Sequence, residues 1–144
     1  MIYDDLDWHL PLAPDLGAAA VPMGFFMSWA VIHQLTDDRA LADHETQVLR
    51  IRFREAKGSE LVVACGGTLS SDLFTPAGQR FVEGYYDTYL DDYRGVFGED
   101  VYLVEETWAN YELIAKVLTA RHRGPHRSEG LLSRLTAWLG GAKA

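Results

Sequence analysis

The sequence predicts a mainly α fold: a single-domain bundle of about five helices around a buried central helix, with an irregular N-terminal arm. Three observations lead there. Residues 21–35, VPMGFFMSWAVIHQL, are apolar on almost every side, and a helix apolar all round belongs inside a domain or a membrane. Phe81, Tyr85, Tyr89 and Tyr93 recur every four residues, the spacing of one helix face. Trp108, Tyr111, Ile114, Ala115 and Leu118 form a second such stripe. A chain of 144 residues fits one domain and can bury a core without staples.

Taken in order, residues 1–16 hold Asp4, Asp5, Asp7 and Asp15 with Pro11 and Pro14, and the prolines favour an irregular, extended arm. Tyr3, Leu6, Trp8 and Leu10 should lay that arm across the core. Pro22 suits the first turn of the central helix, where its missing N–H costs nothing. The helix should stop near Thr36, Asp37 and Asp38. A second helix is expected over residues 38–56, with Gly58 as its stop. The alternation of Arg50, Ile51, Arg52, Phe53 and Arg54 is a competing strand signal. Residues 59–65 are too short for periodicity to separate helix from strand.

Thr75 followed by Pro76 is an N-cap and a first-turn proline. They open an amphipathic helix over residues 76–93, with a bend expected at Gly84 and a stop at Gly95 and Gly98. Residues 101–104 read as a short extended link. Glu106 or Thr107 then opens the helix that carries Trp108, and it ends at residues 121–125, where cations suit the helix dipole. Ser128 should cap a last short helix with Leu131, Leu132, Leu135, Trp138 and Leu139 on one side.

Charge divides the chain. Residues 1–120 carry twenty acids and eight bases; residues 121–144 carry one acid and five bases. We therefore expect an acidic helical domain over residues 1–124 and a basic C-terminal helix and tail over residues 125–144, docked on the same domain. The negative body argues against a nucleic-acid partner, because binding phosphates needs a basic face. No Asp, Glu, Lys or Arg lies between Asp15 and Asp37, yet Gly17, Pro22 and Gly24 interrupt that run and acids flank it. A membrane span and a signal peptide are both disfavoured, and the single Cys65 fits a reducing compartment. A cytoplasmic protein is the expectation.

Two polar sites stand out. Between Glu83 and Glu112 there are nine acids against one base, Arg94. Asp87, Asp91, Asp92, Glu105 and Glu106, with Tyr86 and Tyr93 as contact area, form the candidate surface for a basic protein partner. A solvated surface, or a counterweight to Arg121, Arg123 and Arg127, would explain the same charges. The alternative site gathers Asp4, Asp5 and His9 with a distant acid such as Asp72 or Glu106, for metal binding or acid–base chemistry. Against it, no metal-motif spacing links these residues to His33, His44 or His122, and Asp-rich starts commonly serve as caps. His33 reads as a core or boundary histidine, Cys65 as a small hydrophobe without a neighbouring base, and Ser70, Ser71 and Asp72 as a turn.

Three blocks carry a resemblance: Tyr3, Asp4 and Asp5 with Trp8 and His9; MGFFMSWA over residues 23–30; and VEETWANY over residues 104–111. In this order they resemble a family of small, uncharacterised bacterial proteins with YDD-x-x-WH-like, G-M-F-x-x-W-like and VEDTWENY-like blocks. The resemblance implies a shared helical fold and no established activity, so it assigns no catalytic residue. Pro22 stands where relatives place a histidine, which weakens a metal ligand there. The functional expectation is a non-enzymatic cytoplasmic binding protein, in concrete form an immunity-type protein occluding a basic toxin or nuclease. No cofactor or metal is expected, and the sequence leaves the oligomeric state open.

Overall fold

A computed structural model describes residues 1–124 in full and the helical backbone on to Gly141. It is mainly α. The central helix α2 runs over Leu16–Ile32, after β1 (Ile2–Asp5), the single turn α1 (Leu6–His9) and a 3₁₀ turn at Leu10–Leu12. Every residue from Ala19 to Val31 is buried, and Met23, Phe26, Trp29 and Val31 are wholly enclosed. Each such side chain contributes about 1.5–3 kcal/mol of transfer free energy.

The helix starts earlier than the sequence suggested. Asp15 caps it, accepting the Ala18 N–H at 2.8 Å, and three alanines carry it forward without side-chain entropy loss. Pro22 therefore sits inside the helix and not in its first turn. The Tyr89 hydroxyl donates to the Pro22 carbonyl at 2.6 Å.

Five further helices and a two-stranded antiparallel pairing wrap α2. They are α3 (Glu45–Arg52), α4 (Gly58–Ala64), α5 (Pro76–Tyr85) and α6 (Tyr89–Phe97), followed by α7 (Trp108–Gly141), which breaks at Gly124 with φ 73°. The second expected helix is thus shorter, and the competing strand reading of residues 50–54 fails. Gly58 opens α4 and does not stop α3. The termination signals that were missed are left-handed residues without glycine: Gln34 (φ 58°) after α2 and Arg54 (φ 60°) after α3. At both ends the next N–H reaches back five residues, Leu35 to Ala30 and Glu55 to Arg50, the Schellman arrangement. Gly66 (φ 88°) closes α4 in the same way.

Residues 1–5 are not irregular. β1 pairs antiparallel with β2 (Thr68–Ser70), Asp4 opposite Leu69 and Asp5 opposite Thr68, with a register irregularity between Ile2 and Asp4. Irregularities of this kind re-aim side chains, and here Asp4 and Leu6 turn inward. Leu6 is buried and Tyr3 packs against the core as expected, but Trp8 is 59% exposed and Leu10 faces solvent, whereas His9 is buried. The aromatic stripe does form one buried face, but the backbone breaks at Tyr86–Thr88 and not at Gly84. The Thr75 cap holds, accepting the Gly78 N–H at 3.1 Å, and Thr107 caps α7 through the Asn110 N–H at 3.1 Å. Residues 101–103 form a 3₁₀ turn and not an extended link. The Ser128 cap, the Leu/Trp face and the docking of the basic tail lie outside the residues described in full.

Helices α2 and α4 cross at two glycines. A methyl group on Gly24 would lie 2.7 Å from Ser59 Cα, and one on Gly58 would lie 2.8 Å from the Gly24 carbonyl carbon. Backbone cannot give way as a flexible side chain can. Gly24→Ala or Gly58→Ala should therefore lose about 1–3 kcal/mol or more in urea unfolding. Gly84→Ala, which meets open space within α5, should gain about 0.5–1 kcal/mol.

Candidate functional site

The arm's carboxylates separate on folding. Asp4 and His9, 6% and 5% exposed, converge: His9 Nε2 lies 2.7 Å from Asp4 Oδ1. Since a carboxylate only accepts, Nε2 is the donor. The Tyr86 hydroxyl donates to Asp4 Oδ2 at 2.6 Å, the Asp5 N–H to Asp4 Oδ1 at 2.8 Å, and the Tyr102 hydroxyl meets His9 Nδ1 at 2.6 Å. Burial, then the Asp4 charge, pushes the pKa of Tyr86 well above its ordinary value and that of Tyr102 upward, so both stay neutral hydroxyls. The turn of α1 places His9 five residues after Asp4 and facing inward. Tyr86 comes from the break between α5 and α6, and Tyr102 from the Val101–Leu103 turn. Neither tyrosine was paired with the arm by sequence reasoning; only the aromatic enrichment of residues 81–102 hinted at it.

Asp5 and Asp72 do not join this group. Asp5 caps α1, accepting the Asp7 N–H at 2.9 Å and the Thr68 hydroxyl at 3.2 Å. Asp72 accepts from the Ser70 hydroxyl. Every polar atom of Asp4 and His9 is already engaged, so the group works as a clamp joining three segments. Among the described residues no three His, Cys, Asp or Glu side chains gather as metal ligands would. His33 caps the exposed end of α2, its ring 4.7 Å from Trp29. Burial pushes the Cys65 thiol up, away from the thiolate that nucleophilic chemistry needs.

The acidic segment divides too. Asp92 accepts both Arg121 Nε and Nη2 at 3.0 Å and the Tyr85 hydroxyl at 2.7 Å. The Arg121 guanidinium holds its pKa below the ordinary value. Glu83 accepts from Tyr3, whose pKa burial and that carboxylate push up to about 12. Glu112 pairs with Arg54. Glu106 accepts the Ser59 N–H at 3.1 Å together with the Ser59 hydroxyl. It thereby caps α4, whose own N-cap residue, Lys57, has no acceptor side chain. Burial raises the Glu106 pKa from its ordinary 4.5, with the Ser59 bonds opposing.

Asp87, Asp91, Glu99, Asp100 and Glu105 remain exposed. Arg94 stands 3.4 Å from Asp91 and 3.8 Å from Glu99. Tyr93 is fully buried and offers a partner no contact area, and the Tyr86 hydroxyl is committed to Asp4. Large exposed apolar side chains stand elsewhere: Trp8 at 59%, Leu12 at 73% and Leu103 at 70%. Trp8 and Leu103 each adjoin in sequence one member of the His9 and Tyr102 pair. None of the described helices is long and apolar enough to cross a membrane.

Residues 2–106 match a family model described as a domain of unknown function, DUF7832. That span contains the first two sequence blocks and the opening of the third. Neither a curated protein nor a solved structure matches the chain.

Asp4→Ala leaves His9 and Tyr86 without their acceptor in a buried site and should cost about 2–4 kcal/mol in urea unfolding, against about 1 kcal/mol for Tyr102→Phe. Glu106 supplies a pH test. Its folded pKa lies above the unfolded value, so the stability linked to its protonation is fully present below about pH 4.5 and is lost as pH rises through the folded value. The stability of Glu106→Gln relative to the parent should therefore increase between pH 4.5 and 7 in denaturant titrations.

Proposed function

We propose that this chain, which belongs to the DUF7832 family of unknown function, is a non-enzymatic binding protein whose negative face receives a basic protein partner. The observation that carries this reading is the uneven commitment of the nine acids between Glu83 and Glu112. Glu83, Asp92, Glu106 and Glu112 hold groups of the fold. Asp87, Asp91, Glu99, Asp100 and Glu105 stand in solvent with Arg94 as the one base of their segment. Five exposed negative charges with one base among them repel one another, and a cationic partner relieves that repulsion.

Binding needs anchors as well as charge. Trp8 and Leu103 have the exposure that anchors require, and tryptophan is enriched among residues that dominate interface energies. They replace Tyr86 and Tyr93 in that role. An immunity-type protein that occludes a basic toxin or nuclease domain in a bacterial cytoplasm is the specific form of the proposal. The same negative potential disfavours nucleic acid as the ligand. No cofactor or metal enters this reading.

The doubly reversed variant Asp87→Lys with Asp91→Lys should fold normally and associate with the captured basic partner about tenfold more slowly at low ionic strength, with a flatter salt dependence. Recovery of no basic partner from the native host at low salt would defeat the proposal.

A further inference from the structure

Between α2, the start of α4 and the start of α7 lies a cavity of ≈ 50 Å³, walled by Phe25, Trp108 and Tyr111, with Ser28 and Glu106 among its polar lining. Glu106 uses one lone pair on each carboxylate oxygen for Ser59, Oε2 for the N–H and Oε1 for the hydroxyl. A carboxylate has about four acceptor positions, so half remain open. No Lys or Arg among the described residues forms an ion pair with Glu106.

The geometry points to a binding site for a primary alkylammonium group, its nitrogen on the Glu106 carboxylate and its methylene stem against Phe25, Trp108 and Tyr111. Size supports this. At about 10–15 Å³ for each water-sized group, the cavity takes an ammonium head and its first two or three methylenes. Valence supports it too. A guanidinium fork seeks both carboxylate oxygens side by side, and each is already half used by Ser59, whereas a compact ammonium needs only one open position. Arg54 already lies over Trp108 and Tyr111, 5.2 and 5.6 Å from their centroids, so these rings serve a second cation chiefly through stem packing. Lys57 borders the cavity and is the chain's own competitor for Glu106.

A free amine and a lysine of a protein partner share this chemistry; only the second source rests on the binding-protein reading above. The test is an NMR titration of the full chain with n-butylammonium, with Nα-acetyl-lysine methylamide, and with n-butanol as the neutral isostere. Both cations should give saturable shifts at the Ser59 amide and the Trp108 indole N–H, and butanol should not. Glu106→Gln, which keeps an acceptor for Ser59, should weaken n-butylammonium binding at least tenfold. Lys57→Met should tighten it several-fold. The ¹³Cδ shift of Glu106 in the parent protein gives a readout that does not depend on either variant. Binding of n-butylammonium without the lysine amide supports the site and assigns it to free amines. An absent or non-saturable response to n-butylammonium, an equal response to butanol, or unchanged affinity in Glu106→Gln overturns the site. None of these outcomes bears on association through Asp87 and Asp91.

Discussion

A helix without a polar side must be covered on every side, and the rest of this molecule follows from that constraint. Residues 19–31 of α2 are buried without interruption, so each other element serves first as part of a wrapper. The tightest coverage is at the crossing with α4, where Gly24 and Gly58 let two backbones meet. The aromatic face of α5 and α6 closes another side, with Phe26 set edge-on to Tyr86 at 4.9 Å and to Tyr89 at 5.3 Å. Such edge-to-face pairs add to simple area burial.

Wrapping an apolar rod with short segments leaves many segment ends, and each end carries polar groups that need partners. Buried and half-buried polar residues tie such segments together. Asp4 and His9 join the N-terminal strand and turn to Tyr86 and Tyr102, from two other junctions in the chain. Glu106 caps a helix whose own N-cap residue cannot. Asp92 gathers Arg121 and Tyr85. In each case a carboxylate accepts from groups far away in sequence, which is cheap only where burial is matched by several donors.

The negative charge of the body therefore has two populations. One is structural, its oxygens taken up by donors of the fold. The other, Asp87, Asp91, Glu99, Asp100 and Glu105, lies in solvent with little compensation. Large apolar side chains are also exposed, Trp8 and Leu12 around α1 and Leu103 in the Val101–Leu103 turn. The cavity beside Glu106 stands between the two populations, since its carboxylate holds the fold and retains open acceptor positions.

Local sequence determined the class and most of the helices. The unbroken apolar run, the four-residue aromatic repeat, and the caps at Thr75 and Thr107 act through near neighbours, so they are legible without tertiary contacts. The arm's Asp and His pair was legible as a composition, but its partners Tyr86 and Tyr102 lie more than seventy residues away. Non-local partners also decided the β1–β2 pairing, the inward turn of Asp4, the recruitment of Glu106 as a remote cap and the burial of Tyr93. Gln34 and Arg54 took left-handed conformations that single-residue preference assigns to glycine, because two closing hydrogen bonds at each helix end outweigh the local strain. Local pattern thus determined which helix faces had to be buried. Folding chose which carboxylates would be drawn inward to meet the donors that burial left behind, a choice that depends on distances no linear pattern contains.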